Sequence, residues 1–119
     1  MNKQILVVED SHLVRMYYRQ ILEPEGYAVT EAANGSEGIE RALEQDFDVF
    51  IVDINMPMMD GFTFLERIRD ISSSPAIVIS TEASEEDAQK AYEAGASFFI
   101  VKPVSSDNLL RNINMLAGT

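Results

Sequence analysis

Residues Val49–Asp53 form a run of four apolar residues, Val-Phe-Ile-Val, that ends in a carboxylate. Runs of β-branched and aromatic residues, bounded by turn and helix signals, are typical of strands buried on both faces. Three further apolar runs also lead directly into polar residues: 5–8 into Glu9-Asp10, 76–79 into Ser80-Thr81, and 98–101 into Lys102-Pro103. Strands of this kind belong to parallel sheets, which bind ligands at the carboxyl ends of their strands.

Strand-like and helix-like segments alternate along the whole chain. The pattern predicts strands near 4–8, 27–31, 49–53, 76–79 and 98–101, the second of them at an edge, and helices near 11–22, 36–45, 60–68, 84–94 and 105–116. Alternating βα units with right-handed crossovers build a parallel sheet covered on both faces. We therefore predict one domain over residues 1–119 with a flavodoxin-like, doubly wound α/β fold of five strands in the order 2-1-3-4-5 and five helices.

The apolar residues of the predicted helices recur at helical spacing and predict which faces are buried. In the first three helices these residues are Leu13, Val14, Tyr17, Tyr18, Ile21 and Leu22; Ile39, Ala42 and Leu43; and Phe62, Phe64, Leu65 and Ile68.

Composition excludes several classes of function. The 119 residues include 20 acidic and 9 basic ones, for a net charge of −11, and the basic residues form no stripe. Direct binding to nucleic acid or to an anionic membrane is therefore not expected. The chain has no cysteine and a single histidine, His12, which argues against disulfides, thiol catalysis and zinc sites. Since there is neither an 18-residue apolar stretch nor a signal-peptide pattern, we expect a cytoplasmic protein.

The polar residues at the strand ends predict phosphoryl-transfer chemistry. Three neighbouring carboxylates, Glu9, Asp10 and Asp53, would repel one another and recruit a hard cation, Mg²⁺ or alternatively Mn²⁺. An aspartate can act as a phosphoryl acceptor. Lys102, the Ser80 hydroxyl and the Thr81 backbone N–H can stabilise charge on the transferred group.

The ordered set Glu9-Asp10, Asp53-x-x-Met-Pro-x-x-Asp60-Gly61, Ser80-Thr81 and Lys102-Pro103 resembles the receiver domain of bacterial response regulators over the whole chain. The resemblance implies phosphotransfer from a histidine kinase or a phosphotransfer protein to Asp53. It implies Mg²⁺ held by Asp10, Asp53 and the Asn55 backbone carbonyl, with Glu9 acting through water. It also implies a phosphoacceptor switch that promotes its own phosphorylation and dephosphorylation, rather than an enzyme, and a cis Lys102–Pro103 peptide.

The same resemblance implies how a signal would leave the site. Ser80, where threonine is commoner in the family, would move toward the phosphoryl group, and Phe99 would enter the vacated space. An effector protein would then bind the face formed by the fourth helix, the fifth strand and the fifth helix. Asn55 and Glu82 match the choices of chemotaxis regulators and are expected to tune phosphoryl lifetime. We expect a monomeric, single-domain, CheY-like protein, with chemotaxis as one setting.

Three alternatives remain at this point. The chain could be the receiver domain of a longer regulator, for example a transcriptional one. It could be a receiver-like interaction domain that has lost phosphorylation, although the intact acids and lysine argue against that. A haloacid-dehalogenase-like phosphatase also uses a strand-end aspartate, Mg²⁺ and a lysine, but it normally has a second acid two residues later, where this chain has Asn55.

Overall fold

The computed structural model describes residues 2–81 and 84–118. The elements follow one another as β1 (Gln4–Val8), α1 (His12–Leu22), a 3₁₀ turn (Glu23–Glu25), β2 (Ala28–Ala32), α2 (Gly35–Glu44), β3 (Val49–Asp53), α3 (Gly61–Ile68), β4 (Ala76–Ser80), α4 (Glu85–Glu93), β5 (Phe98–Val101) and α5 (Ser106–Ala117). Among these described helices, none combines the length and the apolar character needed to cross a membrane.

All strand pairs are parallel, and the sheet has the order β2-β1-β3-β4-β5. The predicted flavodoxin-like order 2-1-3-4-5 is therefore confirmed. β1 and β3 are neighbours, while the chain leaves them toward opposite edges of the sheet. The crevice above their carboxyl ends is the switch point at which such folds bind ligands.

Alternating residues of the strands contribute to two hydrophobic cores, one on each face of the sheet. In β3, Phe50 and Val52 pack with α2, α3 and α4, whereas Val49 and Ile51 pack with α1 and α5. Because side chains alternate along a strand, Asp53 continues the second set and lies on the face covered by α1 and α5.

Each of the five helices begins at a side-chain cap. The oxygens of these N-cap residues accept hydrogen bonds from the backbone N–H three residues later, and the caps are Ser11, Asn34, Asp60, Ser84 and Ser105. Such caps typically contribute about 1 kcal/mol each. They set where each helix starts after a strand and so fix the short loops that carry the polar strand-end residues.

Four predictions about burial were wrong. Leu13 and Leu43 are 76% and 68% exposed, and Tyr17 is 42% exposed, because α1 and α2 each contact the sheet through a narrower stripe than their apolar residues span. β5 was predicted to be buried on both faces, but its residues are half-buried or exposed. β5 has a neighbour on one side only, β4, so the layers that cover the centre of the sheet cover it incompletely.

Candidate functional site

The predicted acidic residues meet at the carboxyl ends of β1 and β3. Glu9, Asp10 and Asp53 each offer a carboxylate oxygen, and these oxygens lie within 4.8 Å of one another. Glu9 and Asp53 are 1% and 4% exposed, whereas Asp10 is exposed. Asp53 Oδ1 is buried and has no hydrogen-bond partner in the described part of the chain. This arrangement of oxygen ligands fits a hard divalent cation such as Mg²⁺.

The crowding of negative charge bears most directly on Asp10. Hydrogen bonding to Glu9, burial and the negative charge of Glu9 all raise the pKa of Asp10 above its ordinary value. Neighbouring carboxylates disfavour each other's charged forms, and a cation placed between them removes that cost. The cluster therefore favours either a retained proton or a bound cation.

Lys102 brings a positive charge to the same place. Its Nζ lies 2.9 Å from Glu9 Oε1 and 3.6 Å from Asp53 Oδ1. Burial by itself lowers the pKa of Lys102, but the hydrogen bond to Glu9 and the charges of Asp53 and Glu9 outweigh it and raise the pKa overall. Lys102 therefore carries its charge throughout the neutral range. The predicted cis peptide at Lys102–Pro103 is present.

The segment after Lys102 is held by α1. The Tyr17 hydroxyl donates a hydrogen bond of 2.6 Å to the Val104 carbonyl oxygen. The backbone N–H of Lys102 donates a 2.7 Å hydrogen bond to the Ser80 carbonyl oxygen at the end of β4. These two bonds fix the chain on both sides of the cis peptide, so the lysine side chain leaves from a defined position.

The remaining predicted residues lie around this centre. Ser80 is buried at the end of β4, next to the end of β3, and Thr81 is exposed. The side chain of Asn55 is exposed and donates a 3.1 Å hydrogen bond to Thr81 Oγ1, which links the loops after β3 and β4. Glu82, predicted to tune phosphoryl lifetime, lies outside the described residues.

Phe98 and Phe99 point to opposite faces of the sheet. Phe99 is half-buried and packs against the core under α2, α3 and α4, and Phe98 packs against the core under α1 and α5. Of the two, Phe98 is the phenylalanine on the α5 side. Phe99 pairs with Val78 of β4, two residues before Ser80.

Arg15 and Arg19, one helical turn apart on α1, both form ion pairs within the domain. Arg15 binds Glu31 at 2.8 Å, and Arg19 binds Glu31 at 3.0 Å and Glu23 at 2.8 Å. Arg15 also donates to the backbone carbonyl oxygen of Glu9 at 2.7 Å. Local sequence carries no signal for this contact, because it depends on how closely α1 lies against β2.

Comparison with known proteins agrees with this geometry. A family model described as response regulator receiver domain matches residues 5–114. The chemotaxis protein CheY4 of Vibrio cholerae superposes with a TM-score of 0.93 and 34% identity, covering 98% of this chain and 99% of that one. A CheY-like receiver domain protein of Methanospirillum hungatei gives a TM-score of 0.94 and 33% identity, covering 99% and 95%.

Curated relatives include longer regulators. The transcriptional regulatory protein ResD of Bacillus subtilis is 35% identical over 113 residues, which is 95% of this chain and 47% of ResD. SrrA of Staphylococcus aureus is 30% identical over 116 residues, which is 98% of this chain and 48% of SrrA. The chain thus spans about half the length of these relatives. The family match over residues 5–114, on a fold with this strand order and this acidic crevice, shows that the chain belongs to the response regulator receiver domains.

Proposed function

We propose that residues 1–119 form one receiver domain that acts as a phosphorylation-dependent switch, with Asp53 as the phosphoryl acceptor. The observation that carries the proposal is the position of the Asp53 carboxylate. It is 4% exposed, one of its oxygens lacks a hydrogen bond among the described residues, and it lies between two other carboxylates and a lysine. A buried carboxylate oxygen without a hydrogen bond is costly unless an incoming group completes its contacts.

In the proposed reaction, an oxygen of Asp53 attacks the phosphorus of a phosphohistidine on a histidine kinase or phosphotransfer protein. The P–N bond breaks, its electron pair remains on the imidazole, and an aspartyl phosphate forms. Mg²⁺ at the acidic cluster would neutralise charge on the phosphoryl oxygens. Glu9, Asp10, Asp53 and the Asn55 backbone carbonyl are the groups proposed to hold it, with Glu9 acting through water.

Lys102 and the polar groups at the end of β4 are proposed to receive the phosphoryl oxygens. Lys102 already lies 3.6 Å from Asp53, so a short shift away from Glu9 would bring its ammonium to a phosphoryl oxygen. The Ser80 hydroxyl and the Thr81 backbone N–H would add neutral donors. The phosphoryl group remains on Asp53 after the reaction, so we propose that the domain is a phosphoacceptor switch. We also propose that the same residues promote its own phosphorylation and dephosphorylation.

Phosphorylation is proposed to change the face formed by α4, β5 and α5. Movement of Ser80 toward the phosphoryl group would free space that Phe99, on the neighbouring strand, can enter. The half-burial of β5 supports this, since its side chains are covered less completely than those of the central strands. The partner on this face is proposed to be an effector protein, with the domain itself monomeric and cytoplasmic.

The haloacid-dehalogenase alternative is not favoured. Its second acid would have to stand at Asn55, which is an amide whose N–H is already donated to Thr81. An amide cannot supply the proton that such an acid gives to a leaving group.

Labelling by a small phosphodonor tests the proposal. Wild-type protein with acetyl phosphate and Mg²⁺ should gain one phosphoryl group, about 80 Da by intact-mass spectrometry, and EDTA should prevent it. Asp53→Asn should remain unlabelled. Asp60→Asn is the matched control, because Asp60 lies on the same loop and serves as the α3 N-cap, a role that asparagine also fills. An unlabelled wild type, or labelling of Asp53→Asn equal to that of the control, would refute the assignment.

A further inference from the structure

Arg15 connects the acidic cluster to the edge of the sheet. Its Nη1 donates a 2.7 Å hydrogen bond to the Glu9 carbonyl oxygen, and its Nε donates a 2.8 Å hydrogen bond to Glu31 Oε1. The Arg15 side chain is 13% exposed. Glu31 belongs to β2, where it pairs in register with Val7 of β1. One guanidinium therefore joins the backbone of the β1–α1 loop to the neighbouring strand.

Arg15 differs from the other groups that hold Glu9. The Glu9 carboxylate accepts from Lys102 Nζ at 2.9 Å and from the Ser11 backbone N–H at 3.3 Å, and the Glu9 N–H donates to Ala32. In the proposed function Lys102 turns to the phosphoryl group and gives up its bond to Glu9. Arg15 binds the Glu9 backbone rather than its carboxylate, so this contact can persist through the reaction.

The charge of Arg15 is balanced outside the site. Glu31 accepts from Arg15 and also from Arg19, whose Nε lies 3.1 Å from Glu31 Oε2. Although burial raises the pKa of Glu31, its hydrogen bond to Arg15 and the charge of Arg19 lower the pKa overall. Glu31 therefore stays ionised at neutral pH and keeps the guanidinium oriented. In the described part of the chain, Arg19 binds Glu31, Glu23 and the Val29 carbonyl oxygen but not Glu9, so it shares only the Glu31 end of this network.

We propose that Arg15 is a positioning residue for the cation site: it fixes the main chain at Glu9 and so raises the affinity of the acidic cluster for Mg²⁺. Without the contact, repulsion among the carboxylates of Glu9, Asp10 and Asp53 is free to spread the β1–α1 loop, and the cation would have to bring them together again. Groups that orient metal ligands commonly change affinity by tenfold or more. The inference rests on the proposed function, since it requires the cluster to bind the cation.

Arg15→Lys is the informative variant. Removing the positive charge of Arg15 would change the attraction of the cluster for any cation. Lysine keeps that charge but lacks the forked guanidinium that donates to both Glu9 and Glu31. Mg²⁺ affinity is measured on the full chain by titration calorimetry and by NMR shifts of the amides near the cluster. We expect the Kd of Arg15→Lys to rise about tenfold. Amide hydrogen exchange at Asp10 and Ser11 should also quicken in the metal-free variant.

Arg19→Lys is the matched control, because it disturbs the same glutamate without touching Glu9. Its Kd should stay within about twofold of wild type. Unfolding transitions in EDTA establish that both variants fold. An Arg15→Lys variant that binds Mg²⁺ as tightly as wild type would overturn the inference. An equal loss of Mg²⁺ affinity in Arg19→Lys would also overturn it, since the effect would then come from the β2 edge as a whole. Failure of the wild type to bind Mg²⁺ would instead overturn the proposed function.

Discussion

The ammonium group of Lys102 lies nearer to Glu9 than to Asp53, at 2.9 Å against 3.6 Å. Glu9 is 1% exposed, so Lys102 compensates a carboxylate that water scarcely reaches. The Lys102 ammonium, which is proposed to bind the phosphoryl group, is thus also the ion-pair partner of the buried Glu9 carboxylate in the unphosphorylated protein.

Replacing Lys102 should therefore affect stability as well as phosphorylation. Lys102→Met removes both the 2.9 Å hydrogen bond and the positive charge that compensate the buried Glu9 carboxylate. We expect a loss of about 2 kcal/mol in the free energy of unfolding at pH 7, measured with urea. Lys3→Met is the control, because Lys3 has no ion pair in the described part of the chain, and it should change stability by less than about 0.5 kcal/mol. Equal effects would show that the Lys102 pair contributes nothing.

The same pair predicts a loss of stability in alkali. The pKa of Lys102 is raised above its ordinary 10.5 in the folded state, so protonation favours the fold. This contribution is fully present below pH 10.5 and disappears as the pH rises through the folded-state pKa. The stability difference between wild type and Lys102→Met should be constant from pH 7 to 9 and shrink above 10.5. If the stability difference between the two proteins were unchanged up to pH 12, the ion pair between Lys102 and Glu9 would not stabilise the fold.

Glu31 predicts the opposite dependence at acid pH. Its pKa is lowered from an ordinary value of 4.5, so its ionised form favours the folded state above that pH and the benefit is lost as the pH falls through the folded-state pKa. Glu31→Gln should lose about 1 kcal/mol at pH 7, because the glutamate is paired with two arginines but is 26% exposed. Urea unfolding at pH 7, 5, 4 and 3 should show a constant difference down to about pH 5 that shrinks progressively as the pH falls below 4.5. A difference as large at pH 3 as at pH 7 would assign the loss to the shape of the side chain rather than to its charge.

Met58 is in a left-handed backbone conformation with φ of +70°, and its side chain is fully exposed. A side chain without packing contacts cannot offset the steric cost of this region, which asparagine tolerates better. We expect Met58→Asn to raise the free energy of unfolding by about 0.5 to 1 kcal/mol. Met115→Asn, at an exposed methionine inside α5, should instead lower it slightly because asparagine is the poorer helix former. If Met58→Asn did not raise the free energy of unfolding, the loop in solution would not hold Met58 in the left-handed conformation.

Gly61 begins α3 where the chain passes very close to the phosphoacceptor strand. A Cβ at this position would lie 2.7 Å from Ile54 Cα and 2.8 Å from the Asp53 carbonyl oxygen, both backbone atoms that cannot rotate away. Gly61→Ala should cost about 2 kcal/mol or more in stability and slow the labelling of Asp53. At Gly35 the added carbon meets only the flexible Met59 side chain, so Gly35→Ala should cost clearly less. Similar costs for the two variants would contradict the close approach.

The strand-end residues could be predicted because a parallel sheet places all its carboxyl ends along one edge. Once β1, β3 and β5 are recognised in the sequence, this geometry alone places Glu9, Asp53 and Lys102 close together. The exposure of Leu13 and Leu43 could not be predicted in the same way, since periodicity identifies an apolar face but not how much of it the neighbouring layer covers. The role proposed for Arg15 depends on a contact between α1 and an edge strand sixteen residues away, which no local pattern encodes.

The bond between Lys102 and Glu9 joins residues 93 positions apart, so it has a consequence for how the chain is made. During synthesis, Glu9, Asp10 and Asp53 leave the ribosome well before the last βα unit, and a nascent chain ending after β4 carries the three carboxylates without their lysine. Mutual repulsion then opposes the docking of β1 against β3 at that end of the sheet. Synthesis of β5 and α5 then adds Lys102, whose positive charge balances the carboxylates that follow β1 and β3. Before that, a free divalent cation would reduce the repulsion among these carboxylates in the nascent chain.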